Sequence, residues 1–213
     1  MNEVRGGSSR PSATLPHCHA AIIAGGQATR MGGVPKGLLE VGGVRILDRL
    51  IGACEEAFGG PPLLVANAPD ASGWRPGLRV VPDATPGGGV LAGLHSAVLA
   101  APAPVVCVAW DMPFVPAGLL AALAEGLAGH DACLPASGGR RGVEPLCAAY
   151  GPACAGPMAE ALARGDLRAI AFHGGIRVRI LSEEQVRRHG DPARLFFNVN
   201  TADDLALANG MAM

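Results

Sequence analysis

Aromatic residues and net charge are both scarce in this chain of 213 residues. Phe, Trp and Tyr make up 4% of it, so most of the 49% hydrophobic content must come from Ala, Val, Leu and Ile. Lys and Arg number 17 against 18 Asp and Glu, a formal net charge of −1. This balance argues against binding to nucleic acid or anionic lipid through bulk charge. Gly (31) and Pro (18) stay below the content typical of disordered chains, so we expect a globular protein.

Signals for metal clusters, export and membrane insertion are also absent. The six cysteines form no C-x-x-C pair, and we interpret them as mostly buried, reduced thiols. A metal clip at His17-Cys18-His19 is an alternative, although no further ligand lies nearby in the sequence. The Gly/Ser/Pro-rich start has no apolar stretch of the kind found in signal peptides, and no apolar run approaches the ~18 residues of a membrane span. The sequence therefore predicts a soluble, cytoplasmic protein.

Short apolar runs alternate with helical patterns through the first half of the chain. Strands are predicted at residues 20–24, 62–67, 78–81 and 104–109, and helices at 46–58, 91–100 and 117–127. The second half is less regular, with strands predicted at 132–134, 146–150 and 177–181 and helices at 158–163 and 202–208. Alternation of this kind predicts an α/β fold with right-handed crossovers. We expect three layers, a Rossmann-like, mostly parallel sheet with helices on both faces. Residues 1–19 are predicted to be a disordered tail and 20–213 a single domain.

The loop after the first predicted strand has the composition of a phosphate-binding loop. It reads Ala24-Gly-Gly-Gln-Ala-Thr-Arg30-Met-Gly-Gly-Val-Pro-Lys36, which combines glycines with two cations. Gly37 follows the lysine and the G-x-G-x-x-G spacing is missing, so this is neither a Walker A loop nor a dinucleotide fingerprint. The alternative is an ordinary Gly-rich turn with solvated charges.

Three further polar residues follow predicted strands, where ligands of open α/β sheets bind. Asp111 suits a Mg²⁺ ligand, with a capping residue for the turn at Pro113 as the alternative. Asp83 suits contact with a ribose, a base or a metal-bound water, or else it caps its turn. Asn67 suits a nucleobase or sugar edge, and a turn-forming role fits it equally.

Five motifs in order carry a family resemblance. They are A-G-G-x-x-x-R-M-G-G-x-x-K, D-x-x-P-G-x-G-x-L-A-G, D-M-P-F, E-P-L-C-A-A-Y and F-x-N-V-N-T-x-x-D-L. Together they resemble the molybdenum cofactor guanylyltransferases, within the nucleoside triphosphate transferase superfamily, from Ala20 to about Ala208. The resemblance implies a fold of the nucleotide-diphospho-sugar transferase type. It also implies transfer of GMP from GTP to the phosphate of molybdopterin, with Mg²⁺ and release of pyrophosphate.

The resemblance also implies roles for individual residues. The implied nucleotide-binding residues are Ile23, Ala24, Gly25, Gly26, Lys36, Asn67, Asp83 and Asp111. Arg30, Lys36 and Asp111 are the implied catalytic residues, and Asp111 is the implied metal ligand. Candidates for binding the acceptor are Arg140, Arg141, Glu144, Asn198 and Asn200. For the arginines a solvated basic loop is the alternative, and for the asparagines ordinary strand-end hydrogen bonding.

The sequence departs from the family pattern at several positions, which leaves other functions open. Pro35, Val90 and Trp110 replace commoner residues, and Glu144 stands where the family often has His. The difference at Glu144 could alter contacts to the second substrate, so the identity of the acceptor is less firmly implied than nucleotide binding. A cytidylyltransferase that uses CTP and a non-catalytic nucleotide-binding or adaptor protein are the alternatives. Proteins that assemble molybdoenzymes are further candidate partners.

Overall fold

A central sheet of seven strands organises the fold. The structure is a computed structural model that describes residues 18–25, 30–31, 33–139 and 142–212. The strands are β1 (His19–Ile23), β2 (Arg30–Met31), β3 (Val34–Pro35), β4 (Glu40–Val41), β5 (Val44–Arg45), β6 (Leu63–Val65), β7 (Val80–Val81), β8 (Val105–Ala109), β9 (Ala132–Pro135), β10 (Cys147–Tyr150) and β11 (Val178–Leu181). The α-helices are α1 (Ile46–Phe58), α2 (Ala71–Trp74), α3 (Gly89–Ala100), α4 (Ala117–Glu125), α5 (Ala155–Ala163), α6 (Glu183–Arg187), α7 (Pro192–Leu195) and α8 (Ala202–Ala212).

The strand order in the central sheet is β11-β9-β10-β8-β1-β6-β7. Every neighbouring pair is parallel except the two made by β10, which runs antiparallel to both β8 and β9. The remaining strands form two small antiparallel ribbons, β2 with β3 and β4 with β5. The predicted mostly parallel α/β sheet is thus confirmed.

Helices cover both faces of the sheet because its central strands are apolar on both sides. Along β1, Ala20 and Ile22 pack into one hydrophobic core, and Ala21 and Ile23 into the other. Helices α1 and α4 contribute to the first core, and α3 and α5 to the second. All five residues of β8 are buried, as expected of a continuous β-branched run at the centre of a parallel sheet.

Local sequence signals fix several helix ends. Helix α1 has the predicted bounds, and it ends at Gly59, whose φ of +73° is a left-handed conformation that glycine adopts without strain. At the start of α8, Thr201 N donates to Asp204 Oδ2 at 2.8 Å and Asp204 N donates to Thr201 Oγ1 at 3.1 Å, which is a capping box with Asp in place of the usual Glu. That helix runs to Ala212, four residues beyond the prediction.

The short elements α2, α6 and α7 and the two ribbons are absent from the predicted set. Helices α6 and α7 nevertheless carry start signals. Ser182 and Gln185 form a capping box, and Asp191 caps a helix whose first residue is proline. Their lengths of five and four residues are too short for a periodic apolar pattern to show.

The cysteine prediction is confirmed in that all six are free thiols and five of them are buried. Burial raises the pKa of the Cys54 and Cys154 thiols to about 12, so both are inert. Among the described residues no group of three His, Cys, Asp or Glu side chains is arranged to hold a metal, and His17 of the alternative metal clip lies outside them. None of the helices in this part of the chain is long and apolar enough to span a bilayer.

Replacing Tyr150 by Phe should destabilise the fold. The Tyr150 ring is fully buried, and its hydroxyl donates to the carbonyl oxygen of Pro145 at 2.7 Å. Tyr150→Phe keeps the ring and leaves that buried carbonyl without its donor, which should cost about 1–3 kcal/mol. Urea unfolding measures the loss, with Leu207→Ala on the exposed surface of α8 as a control expected to change stability by less than about 1 kcal/mol. Equal stability of Tyr150→Phe and the wild type would contradict the expectation.

Candidate active site

The carboxyl ends of β1, β6, β7 and β8 lie side by side at one edge of the sheet. The chain moves outward from β1 to β6 and β7, and α3 then returns it to β8 on the other side of β1. The strand order therefore reverses between β1 and β8, and a crevice at such a point is where open α/β sheets bind ligands. Trp110 N donates to Ile23 O at 3.2 Å, which brings the residue before Asp111 against the start of the Gly-rich loop.

The Gly-rich loop leaves this crevice directly from β1. Ala24 is buried and its N–H donates to Val65 O at 2.8 Å, so the chain is still fixed by the sheet there. Gly25 is exposed, and a Cβ built on it would meet no atom within 4 Å. Ile23 packs into the core, and its carbonyl oxygen accepts the hydrogen bond from Trp110 N. Gly26 lies outside the described residues, whereas Arg30 pairs with Pro35 through its backbone in the β2–β3 ribbon.

Lys36 is the one lysine in the sequence, and it is buried with 6% of its surface exposed. It begins a 3₁₀ turn at Lys36–Leu38, directly after β3. Its Nζ donates to Asn200 Oδ1 at 2.6 Å, a contact that spans 164 positions of the chain. An ammonium has three N–H donors, so this bond leaves two for other acceptors.

Asp111 carries a half-buried carboxyl group at the end of β8. Burial raises its pKa, and the Lys36 ammonium partly offsets that rise. Its backbone carbonyl accepts a hydrogen bond from Val199 N at 2.9 Å. The predicted residues Lys36, Asp111 and Asn200 thus meet at one place, although their positions in the sequence are far apart.

Asn67 and Asp83 form a reciprocal pair beside this place. Asn67 Nδ2 donates to Asp83 Oδ2 at 2.6 Å, and Asp83 N donates to Asn67 Oδ1 at 2.8 Å. The pair joins the ends of β6 and β7, so two predicted residues hold each other in one orientation. Ala84 N is fixed in turn by Ser96 Oγ at 2.7 Å, which ties this loop to α3.

Trp110 packs against the turn that begins at Lys36 and directly precedes Asp111 in the sequence. A Cβ built on Gly37 would lie 2.5 Å from Trp110 Cε3, so this indole packs directly against the glycine after Lys36. Trp110 also stacks on Trp74, with ring centroids 5.1 Å apart. The large residue that departs from the family pattern therefore fills the space below the site.

The predicted acceptor residues separate into three groups. Glu144 and Asn198 line one cavity of about 420 Å³, together with residues from α6 and α7. Asn200 is not among the lining residues and contacts Lys36 instead. Arg140 and Arg141 lie outside the described residues.

The sequence reasoning missed several residues at these places. Glu183, Arg187, Asp191 and Phe196 line the cavity. Trp110 packs against Gly37, and the Asp204 carboxylate accepts hydrogen bonds from the backbone N–H groups of residues 200 and 201. The capping residues Ser182 and Asp191 could have indicated the two short helices of the cavity wall. The one sequence signal for Trp110 was that it departs from the family pattern.

The donor set at Asp111 fits a magnesium ion shared with a phosphate ligand. Mg²⁺ usually takes one or two carboxylates together with phosphate oxygens and waters, so it needs no cage of three protein ligands. Asp111 offers a half-buried carboxylate whose charged form burial disfavours, and a cation would stabilise that form. The residues present therefore fit the metal that the resemblance implies.

Comparison with known proteins gives matches along most of the chain. A family model described as MobA-like NTP transferase domain matches residues 20–178. A protein named "Probable molybdenum cofactor guanylyltransferase" from Pelotomaculum thermopropionicum is 39% identical, with 90% of this chain and 91% of that protein covered. A molybdenum cofactor guanylyltransferase from Cereibacter sphaeroides is 36% identical over 89% of this chain and 94% of its own length.

A solved structure shows the same architecture. Molybdopterin-guanine dinucleotide biosynthesis protein A from Archaeoglobus fulgidus superposes with a TM-score of 0.75 at 26% identity. The match covers 91% of this chain and 97% of that one. The same overall fold is thus found in a protein of related sequence.

Adding a methyl group at Gly37 should disturb the loop that carries Lys36. The new Cβ would overlap the Trp110 ring, and such overpacking typically costs about 1–3 kcal/mol. We expect Gly37→Ala to lower the free energy of unfolding by this amount and to change the intrinsic tryptophan fluorescence.

The matched control is Gly52→Ala on the exposed side of α1, where a Cβ meets no atom within 4 Å. Alanine there should leave the fluorescence unchanged and stabilise the helix by up to about 1 kcal/mol. Native stability and native fluorescence in Gly37→Ala would show that the loop does not rest on Trp110.

Proposed function

The chain belongs to the MobA-like NTP transferase family, and we propose that it transfers GMP from GTP to the terminal phosphate of molybdopterin, releasing pyrophosphate. It is then a nucleotidyltransferase of molybdenum cofactor biosynthesis whose product is the molybdopterin guanine dinucleotide form. The names of the relatives with 36–39% identity support both the enzyme class and the substrates.

One observation carries the proposal at the level of geometry. Lys36 is buried and binds Asn200 at 2.6 Å, and the residue before Asn200 donates its N–H to the carbonyl oxygen of Asp111 at 2.9 Å. The lysine thereby lies close enough to Asp111 to offset part of the rise in pKa that burial causes in that carboxyl group. Among the described residues two N–H donors of this cation have no protein acceptor, and a cation beside a carboxylate suited to Mg²⁺ can offset the charge of a nucleoside triphosphate. This arrangement favours a triphosphate over an uncharged ligand.

The reaction needs positioning and charge neutralisation more than proton transfer. An oxygen of the acceptor phosphate forms a bond to the α-phosphorus of GTP, and the bond from that phosphorus to the bridging oxygen of the β-phosphate breaks. The electron pair leaves with pyrophosphate. Because a phosphate dianion is already nucleophilic, no residue has to act as a general base. The protein has to hold two anions in line and offset their repulsion.

We assign to Lys36 the role of neutralising negative charge on the nucleotide phosphates. Its two remaining N–H donors would bind phosphate oxygens, and the loop from Ala24 and Gly25 onward would supply backbone N–H groups. Arg30 and Gly26, on the same loop, are proposed as further phosphate contacts by the family resemblance. Asp111 would hold Mg²⁺, which when bound supplies positive charge to the phosphate oxygens.

The reciprocal pair of Asn67 and Asp83 is assigned to the nucleoside end of GTP. Its two mutual hydrogen bonds leave Asp83 Oδ1 as an acceptor, a match for the hydroxyl or N–H donors of a ribose or guanine. The acceptor would lie on the other side, where Glu144 and Asn198 line the cavity of about 420 Å³. Arg140, Arg141 and Asn200 stay candidates for the acceptor phosphate.

Location and partners belong to the same proposal. Six free thiols suit a reducing compartment, so we place the protein in the cytoplasm. Proteins that load the finished cofactor into molybdoenzymes are the proposed recipients of its product.

Pyrophosphate release tests the proposed function directly. We expect release with GTP and Mg²⁺ only when molybdopterin is added, and much less with ATP, CTP or UTP. Preference for CTP would indicate the cytidylyltransferase alternative. GTP binding without release under all conditions would indicate a non-catalytic protein.

Single substitutions at the two central residues should remove turnover. Lys36→Ala and Asp111→Asn should each lower GMP transfer by about 100-fold or more, since each removes charge stabilisation at the reacting phosphates. Circular dichroism should be unchanged. Arg164→Ala, at the C-cap of α5, and Asp203→Asn on α8, both exposed, are controls expected to keep native activity. Native turnover in either central variant would remove that residue from the mechanism.

A further inference from the structure

The C-terminal segment holds Lys36 in a defined position. Within the described part of the chain, the acceptor that the Lys36 ammonium contacts is Asn200 Oδ1, at 2.6 Å. Lys36 is buried, with 6% of its surface exposed, whereas Asn200 is exposed, so this hydrogen bond joins a buried cation to a residue at the protein surface. The direction in which its remaining donors point therefore depends on where the Asn200 amide is held.

The backbone of Asn200 is fixed by the first turn of α8. Asp204 Oδ2 accepts hydrogen bonds from the N–H groups of Asn200, at 3.0 Å, and of Thr201, at 2.8 Å. Thr201 Oγ1 accepts from Asp204 N in return. These bonds to the backbone lower the pKa of the Asp204 carboxyl, so it is charged at neutral pH and a strong acceptor.

The same segment is also tied to the other central residue. Val199, directly before Asn200, is fully buried, and its N–H donates to the carbonyl oxygen of Asp111 at 2.9 Å. Residues 199–201 therefore connect Lys36, the residue Asp111 after β8, and the start of α8. A helix cap alone would not need the bond between Asn200 and Lys36.

We infer that Asn200 and Asp204 are positioning residues for Lys36, so that the first turn of α8 sets the affinity of the site for the nucleotide's phosphates. Asn200 takes one donor of the ammonium and aims the other two into the crevice, and Asp204 keeps Asn200 in place. The inference rests on the proposed function for the identity of the phosphates. It adds a nucleotide-side role for Asn200, which the family resemblance implies only for the acceptor.

A first test observes the Lys36 ammonium directly by NMR and needs no nucleotide. It is possible because the chain has a single lysine. In protein labelled with ¹⁵N-lysine, the one side-chain ammonium signal must come from Lys36. We expect its protons to be visible and slow to exchange in the wild type and in Asp203→Ala. They should exchange at least about tenfold faster in Asn200→Ala and Asp204→Ala, since the charged hydrogen bond is lost or loosened.

A second test uses nucleotide affinity, measured by calorimetry with guanosine and with GTP plus Mg²⁺. Asn200→Ala should raise the Kd for GTP about tenfold and Asp204→Ala at least about threefold, with the Kd for guanosine within about twofold of the wild type. Asp204→Asn keeps an oxygen acceptor and should restore most of the affinity. In the Lys36→Ala background, Asn200→Ala should have no further effect on GTP, because its role runs through the lysine.

The controls separate the possible outcomes. Asp203→Ala removes the same charge from the same turn of α8 and makes none of these hydrogen bonds, so it should bind GTP as the wild type does. Equal loss of guanosine and GTP binding in the Asn200 and Asp204 variants would reduce their role to folding and overturn the inference. Unchanged GTP binding and unchanged ammonium exchange would overturn it as well. A wild type that shows the protected ammonium and binds no GTP would contradict the proposed function and leave the positioning intact.

Discussion

The site depends on satisfying one buried cation. Lys36 loses almost all contact with solvent, and an ammonium in that state is stable only with acceptors close by. The Asn200 amide oxygen meets part of this need and the Asp111 carboxyl group meets part of it through charge. The requirement draws together the loop after β1, the end of β8 and the first turn of α8. A lysine on an exposed turn would impose no such constraint.

Small residues in the core let the elements of the site come close enough for these contacts. A Cβ at Gly93 in α3 would lie 3.0 Å from Ile23 Cγ2, so the absence of a side chain there lets the helix approach β1. Gly37 allows the same approach of the lysine's turn to Trp110. The chain has two tryptophans, and they stack on each other where Trp110 packs against Gly37, the residue after Lys36.

Much of the fold could be predicted from the sequence, and less of the site. Residues 105–109 and 46–58 carry strong local patterns, so β8 and α1 were predicted with little error in their bounds. The positions of Asp83, Asp111 and Asn67 followed from the rule that ligands bind at the carboxyl ends of strands. The bond between Lys36 and Asn200 could not be predicted in this way, because it links residues 164 positions apart and no local pattern encodes it. The same holds for the Trp110 packing, which depends on tertiary approach.

The hydrogen bond between Lys36 and Asn200 joins distant parts of the sequence, which has a consequence for synthesis of the protein. Strands β1, β6, β7 and β8, with α1 and α3 to cover them, are all made before the second half of the chain exists, and their parallel pairing uses nothing from it. Asn200 comes much later in the sequence than β8, so it is translated after all four of these strands. A nascent chain therefore carries a lysine whose protein partner has yet to emerge. The contact between Lys36 and Asn200 can therefore form only after the second half of the chain has been made.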